Sequence, residues 1–186
     1  MALSTSLISY YKLDESSGVA DDAIENNDGT VSGAVTRDVT GKIGKAYNFT
    51  NSDGMVAIAD GGDFSRNPGT QNFSVQAWIK LTSAGASWDS VFMDRNTANS
   101  SLAFYIRTST SPCKLSCGGA GGDGGWRIDG DTTLSSATWY HVVLVVDGTT
   151  AKVYLNGSED GSDVGFTAYT ASGSGSTIGR WRGSGW

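Results

Sequence analysis

No run of eighteen apolar residues occurs in the 186-residue sequence, so nothing in it reads as a membrane-spanning helix. Cations are scarce: thirteen Lys plus Arg stand against nineteen Asp plus Glu, a net charge of −6. Without clustered Lys and Arg, the chain has little with which to hold a nucleic-acid backbone. Histidine occurs once, as His141, so any Ser-His-Asp arrangement would have to be built on it, and no nucleophile motif accompanies it. The glutamates are Glu15, Glu25 and Glu159, all in turn-like contexts. Cysteine occurs twice, as Cys113 and Cys117, and two thiols with one distant histidine make no four-ligand zinc site alone. If residues 113–117 are extended, the two lie about 13 Å apart, beyond disulfide reach. If Pro112 and Gly118 turn the chain back, a small loop disulfide Cys113–Cys117 closes there instead. The first fifteen residues, MALSTSLISYYKLDE, carry neither a basic leader nor an apolar segment of secretory length. A protein that reaches a surface by another route, or a piece cut from a longer chain, would look this way.

What is present points to β structure. Twenty-six Gly with only two Pro, amid many Ser, Thr, Asn and Asp, describe frequent turns between short strands. The length suits one domain, residues 1–186, of the large all-β kind. Its centre is residues 139–157, WYHVVLVVDGTTAKVYLNG, two β-branched and aromatic runs joined by Asp147-Gly148, a strong hairpin signal. Whether the loop has two or four residues, alternation puts Val142, Leu144, Val146, Ala151, Val153 and Leu155 on one apolar face. His141, Lys152, Tyr154 and Asn156 fall on the other, among valines. One core face and one half-polar face predict a leaf of a two-sheet sandwich. Residues 73–81, FSVQAWIKL, alternate likewise, with Phe73, Val75, Ala77 and Ile79 inward and Ser74, Gln76, Trp78 and Lys80 outward. In residues 102–107, Leu102, Phe104 and Ile106 point in, and Ala103, Tyr105 and Arg107 out. Further strands are expected at 7–13, 41–49, 55–59, 91–93, 126–128 and 177–181.

Taken in order, several short motifs resemble the laminin-G-like, concanavalin-A-like lectin/glucanase jelly roll. They are Tyr11-Lys12-Leu13-Asp14-Glu15, Asp22 through Asn26-Asn27-Asp28-Gly29-Thr30, and Gly44-Lys45-Ala46-Tyr47-Asn48-Phe49. Residues 73–78, Trp139-Tyr140-His141-Val142, Tyr154-Leu155-Asn156-Gly157 and Ile178-Gly179-Arg180 continue the series. The resemblance implies an antiparallel two-sheet β-sandwich with ligand sites on the concave face or loop rim. It also implies a further strand after Gly179-Arg180, whereas this chain stops at Gly183-Ser184-Gly185-Trp186. The expectation is that the last strand comes from elsewhere, and that the strand at 7–13 offers an open edge.

Glucanases of this architecture set two glutamates and an aspartate on one strand as Glu-x-Asp-x-Glu, a pattern missing here, so no enzyme is expected. The outward residues instead suggest a sugar-binding surface: Trp78, Tyr105, Arg107, His141, Lys152, Tyr154 and Arg180, provided their strands share a sheet. Aromatic rings would cover the C–H faces of a sugar while placed polar groups bond its hydroxyls. Asp21, Asp22, Asn26, Asn27 and Asp28 offer hard oxygens within eight residues, the donor type that calcium takes. Relatives of this fold often hold a structural calcium near such a loop. The expected function is a non-catalytic, lectin-like carbohydrate-binding module. It would bind a glycan or glycoprotein ligand at a cell surface, in a matrix or on a virion. The alternative is a decoration or fibre subunit that self-associates by strand addition at an open sheet edge, and a glycoside hydrolase is the third and least favoured reading.

Overall fold

The computed structural model describes residues 6–24, 27–50, 53–59, 64, 70–82, 88–95, 101–107, 112–119, 127–164 and 175–179. Among them thirteen strands form, numbered in chain order, and every strand pairing is antiparallel. The larger sheet runs β1 (Gly29–Ser32), β4 (Met55–Ile58), β13 (Ser176–Ile178), β6 (Trp88–Arg95), β7 (Ser101–Arg107), β8 (Lys114–Gly119), β9 (Arg127–Thr133). The smaller runs β12 (Ser158–Val164), β11 (Thr150–Leu155), β10 (Trp139–Asp147), β5 (Phe73–Lys80). A separate hairpin pairs β2 (Val35–Thr40) with β3 (Lys45–Phe49). The chain is thus all-β, as its turn-rich composition predicts.

The central hairpin adopts the register that goes with the four-residue loop, residues 147–150: Asp147 faces Thr150, Val146 faces Ala151 and Leu144 faces Val153. Because side chains alternate, either register sends the same residues inward. Val142, Leu144, Val146, Ala151 and Val153 are all buried and pack against Leu102, Phe104, Ile106, Leu115, Cys117 and Ile128 of the larger sheet. Phe73, Val75, Ala77 and Ile79 complete that core from β5. The two sheets close on each other along β9 and β12. A bulge beside Val153 and Tyr154 interrupts the β11–β12 register, and an extra residue of this kind re-aims a side chain. Asp160 points inward there, its Oδ1 accepting the Thr132 N–H at 3.0 Å. Gly130 makes room for it, since a Cβ at that position would stand 2.1 Å from Asp160 Oδ2.

Residues 7–13, expected as an opening strand, form no ladder. Tyr11 makes a single bridge to Asp22, and Ala20 another to Gly29. The reason is local: Asp22 offers its carboxylate to the Tyr10 N–H at 2.8 Å and the Ile24 N–H at 3.1 Å, so side chain replaces strand partner. The segment thereby lies beside β1 at one border of the larger sheet. At the corresponding border of the smaller sheet stands β5, with no described strand paired on its other side.

Candidate functional site

The outer face of the smaller sheet carries most of the predicted residues. Trp78 on β5 is the direct cross-strand neighbour of His141 on β10. Their rings lie 5.2 Å apart, tilted by 42°, and Trp78 is 43 % exposed. One row along, Lys80 faces Trp139, and the Lys80 ammonium sits 5.0 Å above that indole. In the next row on the other side, Gln76, Val143, Tyr154 and Glu159 stand side by side, followed by Lys152 opposite Val145. Lys152 holds Glu159 through an exposed 2.8 Å ion pair, which raises the lysine pKa and lowers that of the glutamate.

Two local devices fix this face. Asn156 and Gly157, both at positive φ, turn β11 into β12 in the manner of an Asn-Gly hairpin turn. Asn156 also clamps the end of β10: its Oδ1 accepts the His141 N–H at 2.9 Å, and its own N–H donates to the His141 carbonyl at 2.8 Å. At the far end Asn72 donates to Asp147 Oδ1 at 2.7 Å and accepts the Gly148 N–H at 2.9 Å, holding the turn against the start of β5. The third participant arrives from outside the sheet. The turn of the β2–β3 hairpin, closed by a Gly41 N–H to Gly44 carbonyl bond, brings the Lys42 ammonium within 5.2 Å of the Trp78 ring centroid. That hairpin is anchored at its base by Tyr47, which packs on Ala20, Val56 and Ile58 and donates to Glu15 Oε2 at 2.6 Å. Burial and the Glu15 bond push the Tyr47 pKa up to about 12. Sequence reasoning missed Lys42, whose contact spans distant segments. It also left out Lys80 and Trp139, whose strand parity with Trp78 and His141 was a usable signal.

The predicted set does not share one face. Tyr105 and Arg107 lie on β7 of the larger sheet, and the Arg107 side chain, like the whole of Arg180, is outside the described residues. Outward parity there has a different consequence, because Tyr105 is only 4 % exposed and clusters with Met93 and Ala103. Across β6, β7, β8 and β9 the register aligns Ser90, Tyr105, Ser116 and Asp129 in one polar row. Ser116 Oγ donates to Asp129 Oδ1 at 2.9 Å, and Arg127 pairs with Asp129 Oδ2 at 3.0 Å. Ser90 Oγ is buried without a hydrogen-bond partner among the described residues.

The Asp/Asn loop is organised as a turn. Buried Asp22 accepts from Tyr10 N–H, Ile24 N–H and the Ser9 hydroxyl, while its own N–H donates to Asp28 Oδ1. Asn27 donates to Ser9 Oγ, and its carbonyl accepts the Tyr11 hydroxyl. Burial opposes ionisation of Asp22, yet the bonds from Tyr10, Ser9, Ile24 and Asn27 outweigh it and leave the pKa below the ordinary value. Calcium takes six to eight oxygens; here Asp22 has both of its oxygens engaged by protein donors. Asp22 is thereby committed to holding the turn rather than to a calcium shell. Asn26 lies outside the described residues. Among the described residues no three His, Cys, Asp or Glu side chains group around a metal position.

The disulfide is also corrected. Cys113 and Cys117 are free and buried, because residues 114–119 are extended in β8 and hold the two apart. Cys117 faces the core, where burial pushes its thiol pKa well up.

Comparison with known proteins agrees with this architecture. No curated protein matches the sequence significantly. Domain 4 of AbnA, an extracellular GH43 arabinanase from Geobacillus stearothermophilus, solved in complex with arabinotriose, superposes with a TM-score of 0.65. The two are 23 % identical over 87 % of this chain and 79 % of that one. A segment of an S-layer domain-containing protein from Clostridium thermocellum gives a TM-score of 0.54 at 22 % identity, over 83 % and 71 % of the two chains. Identities this low speak for the shared fold. The laminin-G-type family model described as the concanavalin A-like lectin/glucanases superfamily matches residues 50–186, more than half of the sequence. The chain belongs to the concanavalin A-like lectin/glucanase superfamily.

Proposed function

We propose that the protein is a non-catalytic carbohydrate-binding module whose ligand lies on the outer face of the smaller sheet. The observation that carries this reading is Trp78: a large indole, packed beside His141, left 43 % exposed on a face built by regular strands. Flat apolar rings beside a few polar groups are the makeup of a sugar site. Trp78, Trp139 and Tyr154 supply the rings, and His141, Gln76 and Lys152 the polar groups. The arabinotriose complex of the arabinanase domain supports a sugar ligand for a fold of this type. Neither glutamate described here is arranged for glycoside hydrolysis, since Glu15 accepts from Tyr47 and Glu159 is paired with Lys152. The setting that suits such a module is a cell surface, a matrix or a virion exterior.

The test is glycan-array screening followed by titration of the best ligand against wild type and Trp78→Ala. Loss of the ring contact is expected to weaken binding by about 1–3 kcal/mol. Equal affinity in the two proteins, or no glycan bound by either, overturns the reading. A second reading, assembly by strand addition, is favoured by the edge of β5, eight residues long, which no strand pairs among the described residues. It predicts concentration-dependent mass in light scattering, and a constant monomer mass would dismiss it.

A further inference from the structure

We infer that the ligand of this face is an acidic glycan, one bearing carboxylate or sulfate groups; the inference rests on the proposed carbohydrate-binding reading and specifies it. The chain as a whole is acidic, yet two of its thirteen cations, Lys42 and Lys80, meet at one corner of the smaller sheet. Lys42 stands 5.2 Å from the Trp78 ring centroid and Lys80 5.0 Å from that of Trp139. Trp78 and Lys80 lie two residues apart on β5, opposite His141 and Trp139 on β10, so the two cation–ring pairs are adjacent rows of one ribbon. Neither lysine has an ion-pair partner among the described residues, whereas Lys45 holds Asp38 and Lys152 holds Glu159. A lysine on an indole face keeps its full charge while its position is fixed, because the ring quadrupole attracts the ammonium without neutralising it.

The corner therefore presents two positioned positive charges, without an ion-pair partner among the described residues, flanking exposed aromatic surface. A neutral sugar would use the rings and leave both charges unanswered. A uronate or sulfated sugar would lie along the exposed part of Trp78 while its anionic groups meet Lys42 and Lys80. The two lysines come from independent segments, the β2–β3 turn and the edge strand β5, so their convergence is a property of the fold. Lys42 also makes the site bipartite, since the ligand would touch both the sheet and the hairpin that leans over it.

The experiment uses the full chain and three probes of equal length: oligogalacturonate, a sulfated oligosaccharide and a neutral arabinose oligomer, titrated at about 20 and 300 mM NaCl. Expected is at least tenfold tighter binding of one or both acidic probes at low salt, with most of that advantage lost at high salt through screening. Lys42→Gln combined with Lys80→Gln should remove the advantage, and Lys45→Gln, which removes one positive charge elsewhere, should not. Which acidic probe binds distinguishes carboxylate from sulfate recognition. Neutral and acidic probes binding alike, with no effect of the double substitution, would overturn this inference and leave the carbohydrate-binding reading intact, provided Trp78→Ala still weakens binding. An equal loss in Lys45→Gln would also overturn it, by showing a diffuse charge effect. If Trp78→Ala changes binding of no probe, both inferences fall.

Discussion

The two outer faces of the sandwich were written with the same alternation and ended in opposite states. On β5 the outward positions Ser74, Gln76, Trp78 and Lys80 are exposed. On β7 the outward positions Ala103 and Tyr105 are as buried as the inward Leu102, Phe104 and Ile106. Their cross-strand neighbours differ accordingly. Trp78 has His141 beside it and a lysine overhead, whereas Tyr105 lies between Ser90 and Ser116 in a row of small polar side chains. A ring that meets water at 43 % exposure can be covered by a ligand, and a ring at 4 % is already covered. Period-two patterning reports which way a side chain leaves its strand. It does not report whether anything waits on that side.

The largest expected effect tests this contrast directly. Tyr105→Ala should destabilise the fold by about 3–5 kcal/mol, the usual cost of emptying a buried aromatic site. Trp78→Ala should cost about 1 kcal/mol or less, as exposed positions do, while impairing glycan binding. Urea unfolding midpoints of the two variants check it. Comparable losses in both would mean that the two faces are equally structural, and the contrast would collapse.

The same pair shows what could be read in advance. The hairpin at 139–157, the inward residues of β5 and β7, and the all-β class follow from alternation and turn chemistry, and these were legible. Sheet membership was not. Whether β5 and β7 share a sheet depends on crossovers such as β13 lying between β4 and β6, for which neighbouring residues carry no signal. That is why Tyr105 and Arg107 were grouped with Trp78. The opening segment failed for the opposite reason, since its apolar alternation was outbid by one aspartate whose hydrogen bonds hold Tyr10 and Ile24.

A second contrast concerns the borders of the sheets. Beside β1 the larger sheet has the 6–24 segment, fastened by Asp22; beside β5 the smaller sheet has no described strand. Asp22→Ala should loosen only the first border, at a cost of about 1–3 kcal/mol for the donors left unpaired. Because the folded pKa of Asp22 is depressed, its contribution is complete above the unfolded value of about 3.9. It is lost as pH falls from there through the lower folded value. Stability measured from pH 6 downward should therefore fall in wild type across that window, and less steeply in Asp22→Ala. Millimolar calcium or chelator should leave the wild-type midpoint unmoved; a rise with calcium, reversed by chelator, would show that other oxygens of the loop hold a metal after all.

The smallest effect sharpens the basic face itself. Glu159 neighbours Tyr154 and binds Lys152 at 2.8 Å, so one of the cations on this face is already answered by an anion of the same chain. The pair is exposed, and exposed pairs contribute little to folding. Glu159→Gln should accordingly leave the melting temperature unchanged. Its influence on a ligand has a definite sign. Removing the carboxylate releases Lys152 and takes one negative charge off the face, so an acidic oligosaccharide should bind more tightly, by at most about fivefold given the usual worth of exposed charges. A neutral oligosaccharide should show no such gain. Titration of the variant with both probes at low salt decides the matter. A weaker acidic ligand in Glu159→Gln would place the anion of the ligand away from Lys152 and make Glu159 a contact in its own right. A gain for both probes alike would trace the effect to the released lysine as a hydrogen-bond donor rather than to charge.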